Sequence, residues 1–209
     1  KILELSGICS RHIAAPEETS MTMGVIAAQR AIDAASLDPQ EIDLVLCATC
    51  TPARAMPSMA CSLQKALGLR EGIPAFDLNA ACSGFMYAAV LADQFIRAQG
   101  ARCVLVIGSD MMSSLIDWTD RSTCILFGDG AGAALFKADQ HPGVLSVHLG
   151  ANGLHEDLLY TQVSDGMGQE VLKMAGREVF KHATKTLERL VDEVLKPVGL
   201  ARSDIDWLV

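Results

Sequence analysis

Two hydrophobic rhythms alternate along this chain. Over residues 19–36, Ala, Val, Ile and Met recur at helical spacing, with Thr19 or Ser20 as the cap and Asp38-Pro39 as the stop. Residues 42–48, Ile-Asp-Leu-Val-Leu-Cys-Ala, form a short and nearly continuous apolar run, the pattern of a buried parallel strand. A polar, proline-marked loop covers 49–57, and Ser58 caps a predicted helix that reaches Leu67 and closes at Gly68. The short strand 75–78 runs through a turn of small residues into a helix ending near Arg97, and 102–109 is a second buried strand. Residues 117–136 read as a loop, a glycine-rich turn and a strand from Ala133. Pro142-Gly143 introduces a predicted strand over 144–149, and a polar, glycine-dotted excursion follows over 150–168. Residues 176–195 are an amphipathic helix with Val179, Leu187, Leu190, Val191 and Val194 among its apolar positions. Pro197-Val198-Gly199 breaks it before a last predicted strand, 206–209.

This order predicts an α/β protein. Glu41-Ile42-Asp43-Leu44-Val45 and Asp204-Ile205-Asp206-Trp207-Leu208 resemble each other, and each follows a long helix and a short Leu-containing linker. The spacing, about 160 residues, is too long for a solenoid and indicates two related halves, the second cut short. The expected division is 1–140, carrying Cys82, and 141–209, the start of the second half. The chain starts without Met and stops inside an apolar segment, so it is expected to be part of a longer protein.

Composition narrows the class. Half of the 209 residues are hydrophobic but only 5% are aromatic, so the core must be aliphatic, and 17 glycines suit close helix–sheet packing. A net charge of −8 argues against a general nucleic-acid surface, which needs a basic stripe. No apolar run is long enough to span a bilayer and no signal peptide is evident, so no membrane association is expected. Seven cysteines, mostly inside apolar runs and without framework spacing, point to reduced thiols and a cytoplasmic protein.

Among candidate reactive groups Cys82 stands first. It lies where strand gives way to helix, among N–H groups without intrahelical partners and at the positive end of the helix dipole. Both effects favour thiolate, and Ala80, Ala81, Ser83 and Gly84 leave room for a carbonyl to approach. Such a thiol would attack a thioester or ester, with backbone N–H groups of the turn holding the oxyanion. A packed, inert cysteine is the competing reading. Cys47 and Cys50 have Cys-x-x-Cys spacing, but no second pair supports zinc and no helix start supports a redox pair. Gly128-Asp129-Gly130-Ala131-Gly132 precedes a strand rather than a helix, which favours a tight turn over a phosphate cradle. Histidines 12, 141, 148, 155 and 182 show no metal spacing, so no metal site is expected. Arg177, Lys181 and Lys185 fall at i, i+4 and i+8, a basic stripe that is either a plain solvated face or a dock for an acidic partner or phosphates.

Four stretches together resemble the β-ketoacyl-acyl carrier protein synthase III family: 80–85 (Ala-Ala-Cys-Ser-Gly-Phe), 117–121 (Asp-Trp-Thr-Asp-Arg), 127–133 (Phe-Gly-Asp-Gly-Ala-Gly-Ala) and 174–181 (Met-Ala-Gly-Arg-Glu-Val-Phe-Lys). The resemblance implies a thiolase-like fold, layered α-β-α-β-α from two duplicated halves, in a homodimer. It implies an acyltransferase of fatty-acid biosynthesis in which acyl-CoA acylates Cys82 and malonyl-acyl carrier protein then condenses with loss of CO₂. No resident cofactor is implied, coenzyme A entering as the thioester substrate. By the same resemblance Arg121 stacks on adenine, while Met174, Gly176, Arg177 and Phe180 line the pantetheine tunnel. Leu126 and Phe127 join the substrate-binding set, Lys181 contacts the carrier protein, and Met56 caps the acyl pocket of the other subunit. Phe is frequent in the family where Met56 stands here, and flexible Met suits a longer or branched chain. Leu5-Ser6-Gly7-Ile8 replaces the family's Arg-Thr-Gly-Ile, whose arginine helps bind coenzyme A. The family's catalytic His and Asn are expected beyond Val209, so these 209 residues alone are not expected to complete the condensation. The alternatives are a condensing enzyme of the same fold serving a quinolone or polyketide pathway, and a non-condensing acyl-binding homologue.

Overall fold

The computed structural model describes residues 2–163 and 170–208. The chain forms two compact units, Lys1–Ser114 with Leu126–Gln140, and Leu115–Ile125 with His141–Val209. The stretch 115–125, expected within the first half, therefore belongs to the second unit.

The first unit is a four-stranded sheet with helices on both faces. Helix α1 (Ile2–Ser6) precedes α2 (Ser20–Ala35), whose first turn is closed by a reciprocal Thr19–Thr22 capping box. Strand β1 (Leu44–Ala48) leads to α3 (Met59–Ala66), capped by Ser58. Gly68, at φ +63°, ends that helix in the left-handed region. Strand β2 (Ala75–Leu78) passes through a 3₁₀ turn, Ala81–Ser83, into α4 (Gly84–Arg97). Strands β3 (Cys103–Met111) and β4 (Asp129–Lys137) complete the sheet in the order β2-β1-β3-β4. β1 is parallel to both β2 and β3, whereas β4 runs antiparallel to β3.

Alternation along the buried strands divides the core in two. Val45, Cys47, Leu105 and Ile107 face Ala28, Ile32 and Leu63 of α2 and α3. Leu44, Leu46, Val104 and Val106 face Ala88 and Ala92 of α4. Small residues on α4 bring its backbone close to the sheet, which is how an interior poor in aromatics closes its gaps.

The second unit contains an antiparallel pair of β5 (Leu159–Val163) and β6 (Glu170–Met174), followed by α5 (Gly176–Leu195). His155 and His182 stack with ring centroids 4.1 Å apart, joining the 3₁₀ segment Gly153–Leu158 to α5. On α5 only Leu195 is buried; Phe180 and Leu187 are exposed.

Four expectations need correction. β4 begins at Asp129, so Gly130 and Gly132 lie in a strand and not in a tight turn; of the three glycines Gly128 alone packs closely on a neighbour, a Cβ there standing 2.9 Å from the His12 carbonyl oxygen. Residues 144–149 form no strand and belong to neither sheet; a local apolar pattern does not by itself make a strand. The excursion 150–168 contains β5, paired with β6; its residues 164–168 lie outside the described set. Residues 206–208 are not a strand, and Val209 lies outside the described set.

Candidate active site

β2 is an edge strand in parallel register with β1, Ala48 opposite Leu78, and the two chains leave the sheet side by side. From β2 the chain turns through Asn79 and Ala80 to Cys82; from β1 it enters 49–51. The turn is forced. Ala81 adopts φ +46°, a left-handed conformation that a residue with a Cβ rarely takes. Asn79 Oδ1 accepts the Ala81 N–H at 2.9 Å, and Ala80 O accepts the Ser83 N–H at 3.1 Å. Between these two satisfied donors no acceptor among the described residues meets the Cys82 N–H. The Cys82 side chain is exposed. An exposed thiol beside an unclaimed backbone donor at a helix start is suited to attack a carbonyl and hold the resulting oxyanion.

Tight packing under the turn explains its small residues. A Cβ on Gly84 would lie 3.2 Å from Ala48 Cβ, and one on Gly108 would lie 3.2 Å from the Phe85 ring. Larger side chains would lift α4, and Cys82 with it, off the sheet.

Beside this turn the 49–51 segment is held by one carboxylate. Asp110 Oδ1, on β3, accepts the backbone N–H groups of Cys50 (2.8 Å) and Thr51 (3.1 Å). The same oxygen accepts the hydroxyls of Thr49 (3.1 Å) and Thr51 (2.9 Å) and the Cys50 thiol (3.2 Å). Burial, then the Asp110 charge and its hydrogen bond, push the Cys50 thiol up to about 12, and Cys82 adds to the effect. Cys47 is fully buried in β1; burial and then Asp77 and Asp110 push its thiol far up as well. The Cys-x-x-Cys pair is thus two protonated thiols in different environments, and no cluster of three or more metal-ligating side chains occurs among the described residues.

Met56 stands on the loop before α3 and is 81% exposed. That loop is anchored from β2: Asp77 accepts the N–H groups of Met59 (Oδ2, 2.6 Å) and Ala60 (Oδ1, 2.7 Å), occupying the positive end of α3. Leu126 and Phe127, half-buried, lead into β4 in the first unit.

The remaining candidates belong to the second unit. Arg121 is exposed on a turn built by two aspartates. Asp117 Oδ1 accepts from Thr119 N (3.0 Å) and Oγ1 (2.6 Å), while Asp120 Oδ1 accepts from Ser122 N (2.9 Å) and Oγ (2.6 Å). Those hydrogen bonds hold both carboxyls below the usual range, helped by Lys173, whose Nζ is 3.9 Å from Asp117. Met174 ends β6 and packs on Gly176, where a Cβ would stand 3.3 Å from Met174 Cε. Arg177, Lys181 and Lys185 are all exposed on α5, with Lys181 Nζ 3.7 Å from Glu178. Phe180, beside them, is 71% exposed.

Asn79, Asp77, Asp110 and Asp120 were not singled out from sequence. Asp77 and Asp110 act on backbone donors that only the fold brings near, whereas Asn79 and Asp120 each accept an N–H two residues on, a local side-chain turn pattern.

A family model described as 3-oxoacyl-[acyl-carrier-protein (ACP)] synthase III matches residues 76–153. The chain is 49% identical over 213 residues to a β-ketoacyl-[acyl-carrier-protein] synthase III of Methylococcus capsulatus, covering all of this chain and 66% of the relative. A 3-oxoacyl-[acyl-carrier-protein] synthase III of Aquifex aeolicus VF5 superposes with a TM-score of 0.88 at 43% identity, covering 95% of this chain and 63% of that one. The priming β-ketosynthase of the R1128 polyketide biosynthetic pathway superposes with a TM-score of 0.92 at 37% identity, covering 98% and 63%. The chain thus spans about two thirds of the length of the relatives it matches.

Proposed function

Because the chain belongs to the β-ketoacyl-[acyl-carrier-protein] synthase III family and has its thiolase-like α/β fold, we propose that it supplies the acyl-accepting part of a condensing enzyme that initiates fatty-acid synthesis. The observation that carries this reading is the Cys82 turn, an exposed thiol on a strained strand-to-helix elbow whose own N–H meets no acceptor among the described residues.

In the first step the Cys82 thiolate attacks the carbonyl of acyl-CoA. The new S–C bond forms, the backbone N–H of Cys82 supports the oxyanion, and coenzyme A leaves as its thiolate. In the second step malonyl-acyl carrier protein loses CO₂, its carbanion attacks the acyl-cysteine carbonyl, and the Cys82 thiolate departs. No resident cofactor enters this scheme. Arg121 receives the adenine, Met174, Gly176, Arg177, Phe180, Leu126 and Phe127 receive the rest of the thioester, and Lys181 receives the acidic carrier protein. The exposed basic stripe of α5 supports the last assignment. A homodimer belongs to the same reading; β2, which among the described residues is an edge strand paired on one side, and the exposed Met56 support it. So does a cytoplasmic location, where exposed thiols at Cys9, Cys61 and Cys82 stay reduced. No helix among the described residues is long and apolar enough to cross a membrane.

The second reading, a starter-unit condensing enzyme of a polyketide-type pathway, is favoured by the superposition on the R1128 priming ketosynthase. Incubation of the whole protein with acetyl-CoA and with longer acyl-CoAs, followed by peptide-resolved mass spectrometry, separates the readings. An acyl group on Cys82, absent in Cys82→Ser, is the expected result. Preference for acetyl-CoA supports fatty-acid initiation and preference for longer donors the second reading; no adduct with any donor would refute both.

A further inference from the structure

Two thiols border the nucleophilic turn, and only one of them is available. Cys82 leaves the end of β2 exposed, whereas Cys50 leaves the end of the adjacent β1 half-buried, its S–H directed at Asp110 Oδ1 at 3.2 Å. That carboxylate oxygen also takes the Cys50 and Thr51 N–H groups and the Thr49 and Thr51 hydroxyls, as given above. The segment is tied down from two further sides. Thr51 Oγ1 accepts the Met111 N–H at 2.8 Å, and Thr51 O accepts the Ser20 hydroxyl at 2.8 Å. Ser20 O in turn accepts the buried Ser109 hydroxyl at 2.7 Å. β1, β3 and α2 are therefore locked to one another at the edge of the site, with Asp110 as the shared acceptor.

We propose that Asp110 is a positioning residue that holds the 49–51 shelf against the Cys82 turn and occupies the Cys50 S–H, so that acyl transfer is confined to Cys82. The proposal rests on the reading of Cys82 as nucleophile. Its chemical content is selectivity between neighbouring thiols. A thiol donating to a carboxylate must keep its proton to keep the bond, and a protonated thiol does not attack a thioester. The groups acting on Cys50 are Asp110, Cys82 and the Met112 sulfur, 3.9 Å from Cys50 Sγ; the negative charge of the one base among them, the Asp110 carboxylate, opposes formation of a second anion beside it, so Cys50 keeps its proton.

The test compares the whole protein with its Asp110→Ala and Asp110→Asn variants, reading two quantities by peptide-resolved mass spectrometry: the rate of acyl transfer from acetyl-CoA to Cys82, and the rate of iodoacetamide alkylation of Cys50. Asp110→Ala removes acceptor and charge; Cys82 acylation is expected to fall about tenfold and Cys50 alkylation to rise about tenfold, the effect of a shift of one pKa unit. Asp110→Asn keeps an acceptor oxygen but no charge, so it restores most of the Cys82 rate while Cys50 stays reactive. That split separates positioning from a general loss of structure. Should the alanine variant not fold, Cys50 alkylation in the asparagine variant decides the matter alone. Unchanged Cys50 reactivity in both variants, or an unchanged Cys82 rate in a folded Asp110→Ala protein, overturns the proposal. Failure of wild-type Cys82 to accept any acyl group refutes the nucleophile reading instead, and Cys50 alkylation still reports on Asp110.

Discussion

Gly84 and Ala48 meet across the top of the sheet with no room for another methyl group: a Cβ on Gly84 would stand 3.2 Å from Ala48 Cβ. Gly84 is the first residue of α4 and lies two positions after Cys82, so this contact sets the height of Cys82 above β1. Gly84→Ala adds helix propensity worth about 1 kcal/mol while forcing the helix start outward at a similar cost of about 1 kcal/mol. The expected outcome is a thermal midpoint within a few degrees of wild type and Cys82 acylation slowed about tenfold, a displacement effect of the kind that ångström-scale misplacement produces. Differential scanning calorimetry and acyl-transfer kinetics on the same sample check it.

Asp77 should matter to stability more than to chemistry. Its two oxygens satisfy the Met59 and Ala60 N–H groups at the start of α3. Asp77→Ala leaves those donors unpaired and is expected to cost about 2 kcal/mol, measured by urea unfolding. Asp77→Asn, retaining one acceptor, should recover about half of that loss.

Alkaline pH should weaken the first unit through Cys50. Burial and the Asp110 charge push the folded thiol up from its ordinary 9.0 to about 12. Between those values the unfolded chain has released a proton that the folded chain retains, so stability falls as pH rises above about 9. Cys47 and Cys103, both raised chiefly by burial, act in the same direction. Urea midpoints between pH 8 and 10.5 should decline, and Cys50→Ser, which keeps a donor without titrating, should flatten the decline.

The Arg121 turn should respond to acid instead. Asp117 and Asp120 are held below their ordinary range by hydrogen bonds from Thr119 and Ser122. Their support is complete above the unfolded carboxylate pKa and is lost as pH falls through the lowered folded values. Asp120→Ala should raise the KM for acyl-CoA about fivefold with kcat little changed, the pattern of lost uniform binding. Steady-state kinetics across donor concentrations measure this.

Local pattern alone was enough for the elements whose signals are local. The α2 boundaries follow from Thr19 and a periodic apolar face, β2 came out at 75–78, and α5 at 176–195. Cys82 was legible because the strand, the small-residue turn and the helix are contiguous in the chain. Elements that depend on a partner far away were not legible. Residues 144–149 alternate like a strand and are not in one, whereas 159–163 lies in a polar excursion and is a strand because β6 offers a matching edge.

The chain by itself determined that a thiol would stand at a strand-to-helix turn among residues too small to obstruct a substrate. Tertiary structure alone decided which thiol that leaves available. Cys50 and Asp110 are 60 residues apart and meet only because β1 and β3 pair in register; one carboxylate then holds a segment of three residues and occupies its sulfur. A hydrogen bond between distant residues leaves no period and no spacing in the sequence, so its effect on reactivity becomes visible only when the sheet has formed.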